Sequence, residues 1–185
     1  MRSEQAVPQR LGALAPLSRA AGAALAVVAM VVALGAGLAP GAPPGAPAPD
    51  YASGPFASRL CGGGSGDLVC VATRTVAAMT QGAEQRTRAQ AGGASCELQS
   101  GLWVCFGSDS VLAQRGGTTY GDTFLTSRDA ELLGPGLLAH ESEHVRQWRL
   151  FGPDFALMYL LEGADPCTNY FEVAAGLEAG GYTCA

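Results

Sequence analysis

Six cysteines, Cys61, Cys70, Cys96, Cys105, Cys167 and Cys184, all fall beyond residue 60 of a 185-residue chain. An even set constrains a small domain strongly, because each bridge restricts the unfolded chain and fixes which segments lie together. Two stretches, from Cys61 to Cys70 and from Cys96 to Cys105, share the pattern C-x3-S-G-x2-V-C. In the second, Ser100-Gly101 reads as a two-residue hairpin turn that pairs Gln99 with Leu102, Leu98 with Trp103, Glu97 with Val104 and Cys96 with Cys105. Counting outward from the turn puts the cysteines on a non-hydrogen-bonded pair, where Cα atoms approach to about 4.5 Å, within disulfide range. The same count joins Cys61 to Cys70, although three glycines, Gly62, Gly63 and Gly64, make that strand weak or only a loop. Elimination leaves Cys167 with Cys184. The spacings are not C-x2-C, which favours disulfides over a thiolate metal site.

Disulfides belong to oxidising compartments, and the N-terminal sequence agrees. Arg2, Arg10 and Arg19 lead into an uncharged Ala/Val/Leu run over residues 20–39, followed by a Pro/Gly/Ala segment up to Pro49. This is the pattern of an export signal, cleaved near Gly35, Gly37 or Ala39, or retained as a membrane anchor on a proline-rich stalk. Two parts are expected: residues 1–49 as signal or anchor with linker, and residues 50–185 as a disulfide-bonded domain outside the cytoplasm, secreted or held on the outer face of the cytoplasmic membrane. That domain has eight arginines, no lysine and fifteen acids, a net charge of −7. It offers no basic patch for nucleic acid. The absence of lysine and the dominance of Ala and Gly point to a G+C-rich bacterial genome.

Periodicity predicts an α+β domain with small hairpins. A helix is expected over residues 73–90, closed by Gly92-Gly93, then a short strand at 110–113 and another over 118–126, broken at Gly121. A helix ending near Phe151 follows, with Leu137, Leu138, Val145 and Trp148 inward and Arg146 and Arg149 outward or near its C-terminal end. Pro153 opens the next helix and Gly163 ends it; a last one starts near Asn169.

The helix before Phe151 carries the only two histidines, in His140-Glu141-Ser142-Glu143-His144, which is H-E-x-x-H. Four residues apart on a helix, the imidazoles differ by about 40° around the axis and can close on one ion. Glu141 lies about 80° to one side of the pair, and Glu143, which completes the inverted order H-x-x-E-H, lies about as far on the other. Helix geometry alone does not choose the base. With no histidine left, the third ligand of a catalytic zinc should be a carboxylate, drawn from Asp154, Glu162, Asp165, Glu172 and Glu178. Glu172 is preferred, because the intervening helix and loop can bring the Asn169 helix back antiparallel to the histidines. Glu162 and then Glu178 follow. Asn169-x-x-Glu172 also reads as a capping box, in which the glutamate only serves the helix N-terminus. Tyr170 or Tyr182 would stabilise an oxyanion in the absence of a further histidine, and Arg146 and Gln147 are candidates to support the ligands or are simply solvated.

Together with Gln147-Trp148, the helix resembles the H-E-x-x-H-x-x-Q-W form of small exported actinobacterial proteins in the gluzincin branch of the zincin metallopeptidases. The likeness spans roughly residues 105–182, including the strand at 118–126 and the Asn169-Tyr170-Phe171-Glu172 helix, although the His144-to-Glu172 interval is longer than in thermolysin-like enzymes. It implies a zincin-like minimal fold, Zn²⁺ as cofactor, Glu141 rather than Glu143 as base, and hydrolysis of a peptide or protein in the envelope or outside the cell. A cell-wall amide is a further substrate class to weigh. The rival expectation is a non-catalytic envelope binding or structural domain, with zinc bracing two helices or lost.

Overall fold

Alternation along two short strands decides how the layers stack. The computed structural model describes residues 49–62, 65–130 and 133–184. The apolar run at 20–39 and the linker up to residue 48 lie outside the described residues. No helix among those described is long and apolar enough to cross a membrane. The elements are α1 (Ser65–Ala91), β1 (Ser95–Gln99), β2 (Leu102–Phe106), β3 (Thr118–Tyr120), β4 (Thr123–Leu125), α2 (Pro135–Phe151), α3 (Asp154–Leu161) and α4 (Tyr170–Ala175). The strands form one sheet in the order β1-β2-β4-β3, with β2 and β4 parallel and the outer pairs antiparallel. Leu102, Val104 and Phe106 of β2 and Phe124 of β4 bury one face against Val145 of α2. Cys105 and Leu125 face the other way and meet Ala89 of α1. The sheet therefore packs on α1 through one face and on the histidine-bearing helix through the other, as period-two burial requires, while the two helices also meet directly: Ala78 of α1 joins Trp148 and Phe151, and Arg74 donates to the Leu150 carbonyl.

The β1–β2 hairpin has the register read from the turn, with Cys96 opposite Cys105 and their Cα atoms 4.0 Å apart. Ser100 and Gly101 both take positive φ, 49° and 87°, the geometry of a tight primed turn. The disulfides are Cys61–Cys70, Cys96–Cys105 and Cys167–Cys184. The repeated cysteine pattern folds in two different ways. Among the described residues around Cys61 there is no strand, and Cys70 already lies on α1, which begins eight residues before the expected position 73. Glycine disfavours a strand, whereas Asp67 in the first helical turn favours the helix N-terminus.

Two other expectations are corrected. Residues 111–116 form a 3-10 helix and no strand: the Ser110 hydroxyl oxygen accepts from the Leu112 N–H and starts the turn. Residues 118–126 form two strands of a hairpin, β3 and β4, turning at Gly121 with φ 66°. A Cβ on Gly121 would stand 2.1 Å from the Ala78 carbonyl oxygen, so only glycine lets this turn seat on α1.

Trp148, Phe151, Phe155, Met158 and Phe171 join Tyr51 and Ala78 in the remaining core cluster, which fastens α3 and α4 to α2. Neither arginine of α2 is on an open outer face. Arg146 lies over the Tyr51 ring, 5.0 Å from its centroid, and pairs with Glu143, while burial lowers the pKa of Arg149. The segment from Pro49 to Leu60 covers this side of the helix, with Arg146 donating to the Pro49 carbonyl.

Candidate metal centre

Helix α2 starts at Pro135, whose ring suits the first helical position, and closes at Gly152 with φ 67°. Between these ends His140 and His144 lie on one face, both buried, with their Nε2 atoms 3.1 Å apart. The first turn of α4 supplies Glu172. Its Oε2 stands 3.1 Å from His140 Nε2 and its Oε1 3.6 Å from His144 Nε2. Among the described residues, these three form the group of His, Cys, Asp and Glu side chains that could hold one ion, with their ligand atoms all within 4.8 Å of one another.

The hydrogen bonds fix which ring nitrogens face inward. His140 Nδ1 is 3.0 Å from the Gly176 carbonyl oxygen, which can only accept, so that nitrogen carries its proton. For His144 the argument runs through Gln147. Its amide nitrogen donates to the Phe171 carbonyl at 2.9 Å, so its oxygen must be the atom 2.7 Å from His144 Nδ1. That oxygen accepts, and His144 Nδ1 is also an N–H. With both rings neutral, as metal ligation requires, the two Nε2 lone pairs point at one space, where the buried Glu172 Oε2 has no hydrogen-bond partner. These three groups could hold one metal ion, and two imidazoles with one carboxylate are a donor set found in zinc sites.

Asn169 performs the capping duty by itself. Its side-chain oxygen accepts from the N–H groups of Phe171 and Glu172, at 3.0 and 3.4 Å, while its own N–H goes to the Asp165 carbonyl. The Glu172 carboxylate does not return to the cap; it accepts from the Tyr159 hydroxyl and turns to the histidines. Burial would raise the Glu172 pKa, but the two imidazoles beside it, the charge that His144 carries in the metal-free protein and the Tyr159 hydroxyl hold it well below the ordinary carboxylate range. Burial would conversely lower His144, yet Glu172 and Glu141 raise it to about 9 in the metal-free protein.

Metal affinity should consequently depend on pH. A bound ion needs the neutral imidazole, so below about pH 9 it must displace a proton from His144. Apparent Zn²⁺ affinity is expected to rise by about tenfold per pH unit between pH 6 and 8 and to level off near 9. Chelator-competition titrations at those pH values measure it, and a flat profile would contradict this arrangement of ligands.

Glu141 is buried beside this cluster, and its Oε2 accepts from the Thr119 hydroxyl at 2.7 Å. Burial pushes its pKa up, against the charges of His144 and His140 and the Thr119 bond. A cavity of about 350 Å³ opens here, with Glu141, His144, Glu172, Thr119, Tyr159 and Tyr182 in its wall. The Trp148 indole N–H donates to the Thr119 carbonyl at 3.1 Å and so ties edge strand β3 to the same helix.

The other sequence candidates lie elsewhere. The Glu143 carboxylate accepts from Tyr51 at 2.7 Å and from Arg146 at 2.8 Å, and it is outside the cavity wall. Glu162 caps the end of α3 and accepts from the Tyr170 N–H, and Glu178 sits in a turn after α4; neither joins the cluster. Asp154 begins α3 and Asp165 caps the turn before α4 through the Cys167 N–H, both outside the cluster. Tyr170 packs with Tyr51, Phe56 and Phe171, away from the cavity. Tyr182 lines the cavity with its ring 5.8 Å from His140, and burial and the Glu172 charge push its pKa to about 12. Sequence reasoning missed Thr119 and Tyr159. The second left a signal, since a tyrosine in an otherwise apolar helix needs a partner for its hydroxyl.

The turn after α4 is a wall for His140. A Cβ on Gly180 would lie 2.7 Å from His140 Cε1 and 2.9 Å from Nδ1. Gly180→Ala must displace the ring from the Gly176 carbonyl, and a loss of about 10- to 100-fold in Zn²⁺ affinity is expected by competition titration. Comparison of the chain with family models, curated proteins and solved structures finds no match.

Proposed function

We propose that residues 50–185 form an exported zinc-dependent hydrolase of the metallopeptidase kind. The observation that carries this reading is the orphaned Glu172 Oε2 facing two Nε2 lone pairs, with buried Glu141 beside them in the same cavity. His140, His144 and Glu172 would hold the ion. When bound, it supplies Lewis acidity, lowering the pKa of a water and polarising a substrate carbonyl.

This chain's own groups do the rest. Gln147 and the Gly176 carbonyl keep both imidazoles in the ligating tautomer. Glu141, its pKa raised by burial, takes the proton of the attacking water and returns it to the leaving amine. Thr119 holds that carboxylate in one orientation. Tyr182, a phenol that stays protonated at neutral pH, stands in the cavity wall as a hydrogen-bond donor for the developing oxyanion. Three protein ligands beside a cavity favour catalysis over a closed four-ligand structural site. The three disulfides suit an oxidising, extracytoplasmic setting.

The test is to assay bound metal in the purified full chain and the release of new amino termini from a mixed peptide library. One zinc per chain with peptide cleavage is expected. Zinc retained without hydrolysis would favour the structural domain, and no zinc at all would remove the site.

A further inference from the structure

Three leucines of α3 stand in water beside the cavity: Leu157, Leu160 and Leu161 are 62%, 72% and 74% exposed. Single exposed leucines are ordinary, but the spacing i, i+3, i+4 makes one continuous face. From Phe155 to Leu161 the helix carries no charge, and Phe155 and Met158 already bury its inner side. The fold therefore does not need the leucines. Leu160 also lines the cavity, and Leu112 lines it from another element, with Val111 next to it 77% exposed. Trp148, Phe155 and Leu160 line the cavity together, and Leu160 also belongs to the exposed ridge, which links the cavity to the outer leucines.

Charge and backbone narrow the occupant. Among the described residues no arginine lines the cavity, so an acidic side chain of a bound peptide would meet no guanidinium there, and Glu141 and Glu172 in the wall disfavour a second negative charge. The strand in the wall, β3, is a sheet edge; Trp148 already takes its Thr119 carbonyl, and the polar backbone that remains matches an extended peptide better than a hydrocarbon chain.

We infer that the cleft takes an extended peptide containing a run of bulky apolar residues, one side chain entering the cavity and its neighbours lying on the Leu157–Leu160–Leu161 ridge. The inference deepens the hydrolase reading and rests on it for the fate of the bound peptide, while recognition by the ridge is measured independently of cleavage.

The experiment uses the full chain in phosphatidylcholine nanodiscs, loaded with Zn²⁺, with empty nanodiscs as background. Fluorescein-labelled decapeptides rich in Leu, Val and Phe are compared with Ser/Asn/Gln decapeptides by polarisation, and products are followed by mass spectrometry. Apolar peptides should bind at least about tenfold tighter, and Leu157→Ser/Leu161→Ser should lose about tenfold of that preference. The double variant should keep its Zn²⁺ affinity and melting temperature, since both side chains are largely solvated. Equal binding of the two peptides, or a preference unchanged in the double variant, would overturn the inference. So would quenching of a Leu157→Trp reporter by brominated lipid, which would assign the ridge to the membrane. Selective binding with no product would leave the ridge assignment standing and remove the hydrolase reading. Cleavage indifferent to apolar content would do the reverse.

Discussion

Glu172→Gln is expected to lower Zn²⁺ affinity by more than about 100-fold, because removing a direct ligand must exceed the 10- to 100-fold typical of its supporting partners. The substitution keeps the side chain's shape and an oxygen to accept from Tyr159. What it removes is the charge between two Nε2 lone pairs. If Glu172 served only the helix terminus, the same change would cost no more than about 1 kcal/mol of stability and leave metal affinity alone. Asn169 already fills the cap, so Asn169→Ala should be the variant that destabilises, by about 1 kcal/mol for the helix end and further for the lost bonds to the Tyr159 and Gly163 carbonyls. A second readout separates the roles. Glu172 helps raise His144 to about 9, so Glu172→Gln should shift the pH at which metal affinity levels off downward. Competition titrations across pH read both effects. Unchanged zinc affinity in Glu172→Gln would remove it from the ligand set.

What the sequence makes legible here is local chemistry. The Cys96–Cys105 hairpin is specified by Ser100-Gly101 and period-two counting, so its register can be read from a few neighbouring residues. The histidine pair needs only one helical turn to come together. Position 172 is harder. Its approach to the histidines depends on the Asn169 cap, whose amide also donates to the Tyr159 and Gly163 carbonyls and thereby sets the angle between α3 and α4. The Asn169-x-x-Glu172 spacing shows the cap, but the direction of the carboxylate is decided by Tyr159, from another element. The choice between Glu141 and Glu143 was likewise not in the helix period. Tyr51, some ninety residues upstream, and Arg146 engage Glu143, and Thr119 engages Glu141; these are long-range contacts that periodicity does not encode. The failed strand at 110–113 has the same origin. Val111 and Leu112 look like strand residues, yet the Ser110 cap and the absence of a pairing neighbour leave them on a turn beside the cavity.

The Glu141→Gln variant should keep its metal and lose its chemistry, with kcat/KM falling by about 10²- to 10⁴-fold. Glutamine fits the same space, and its side-chain oxygen can still accept from Thr119, so the cavity and both imidazoles stay as they are. Only basicity is lost. The pH profile carries an independent sign. The base must be ionised to act, and burial raises the Glu141 pKa. At saturating Zn²⁺ the acidic limb of kcat/KM in the wild type should report ionisation of Glu141, with activity rising as pH increases through it, and should vanish in the variant. Glu143→Gln is the matched control. It breaks a partly exposed pair with Arg146 and weakens the Tyr51 contact, changes that should cost about 1 kcal/mol or less in stability and leave kcat/KM within a few-fold. Activity that survives in Glu141→Gln and disappears in Glu143→Gln would reverse the assignment of the base. The structure argues against that outcome through position: Glu143 is held against the Tyr51 segment, whereas Glu141 shares the cavity wall with His144 and Glu172.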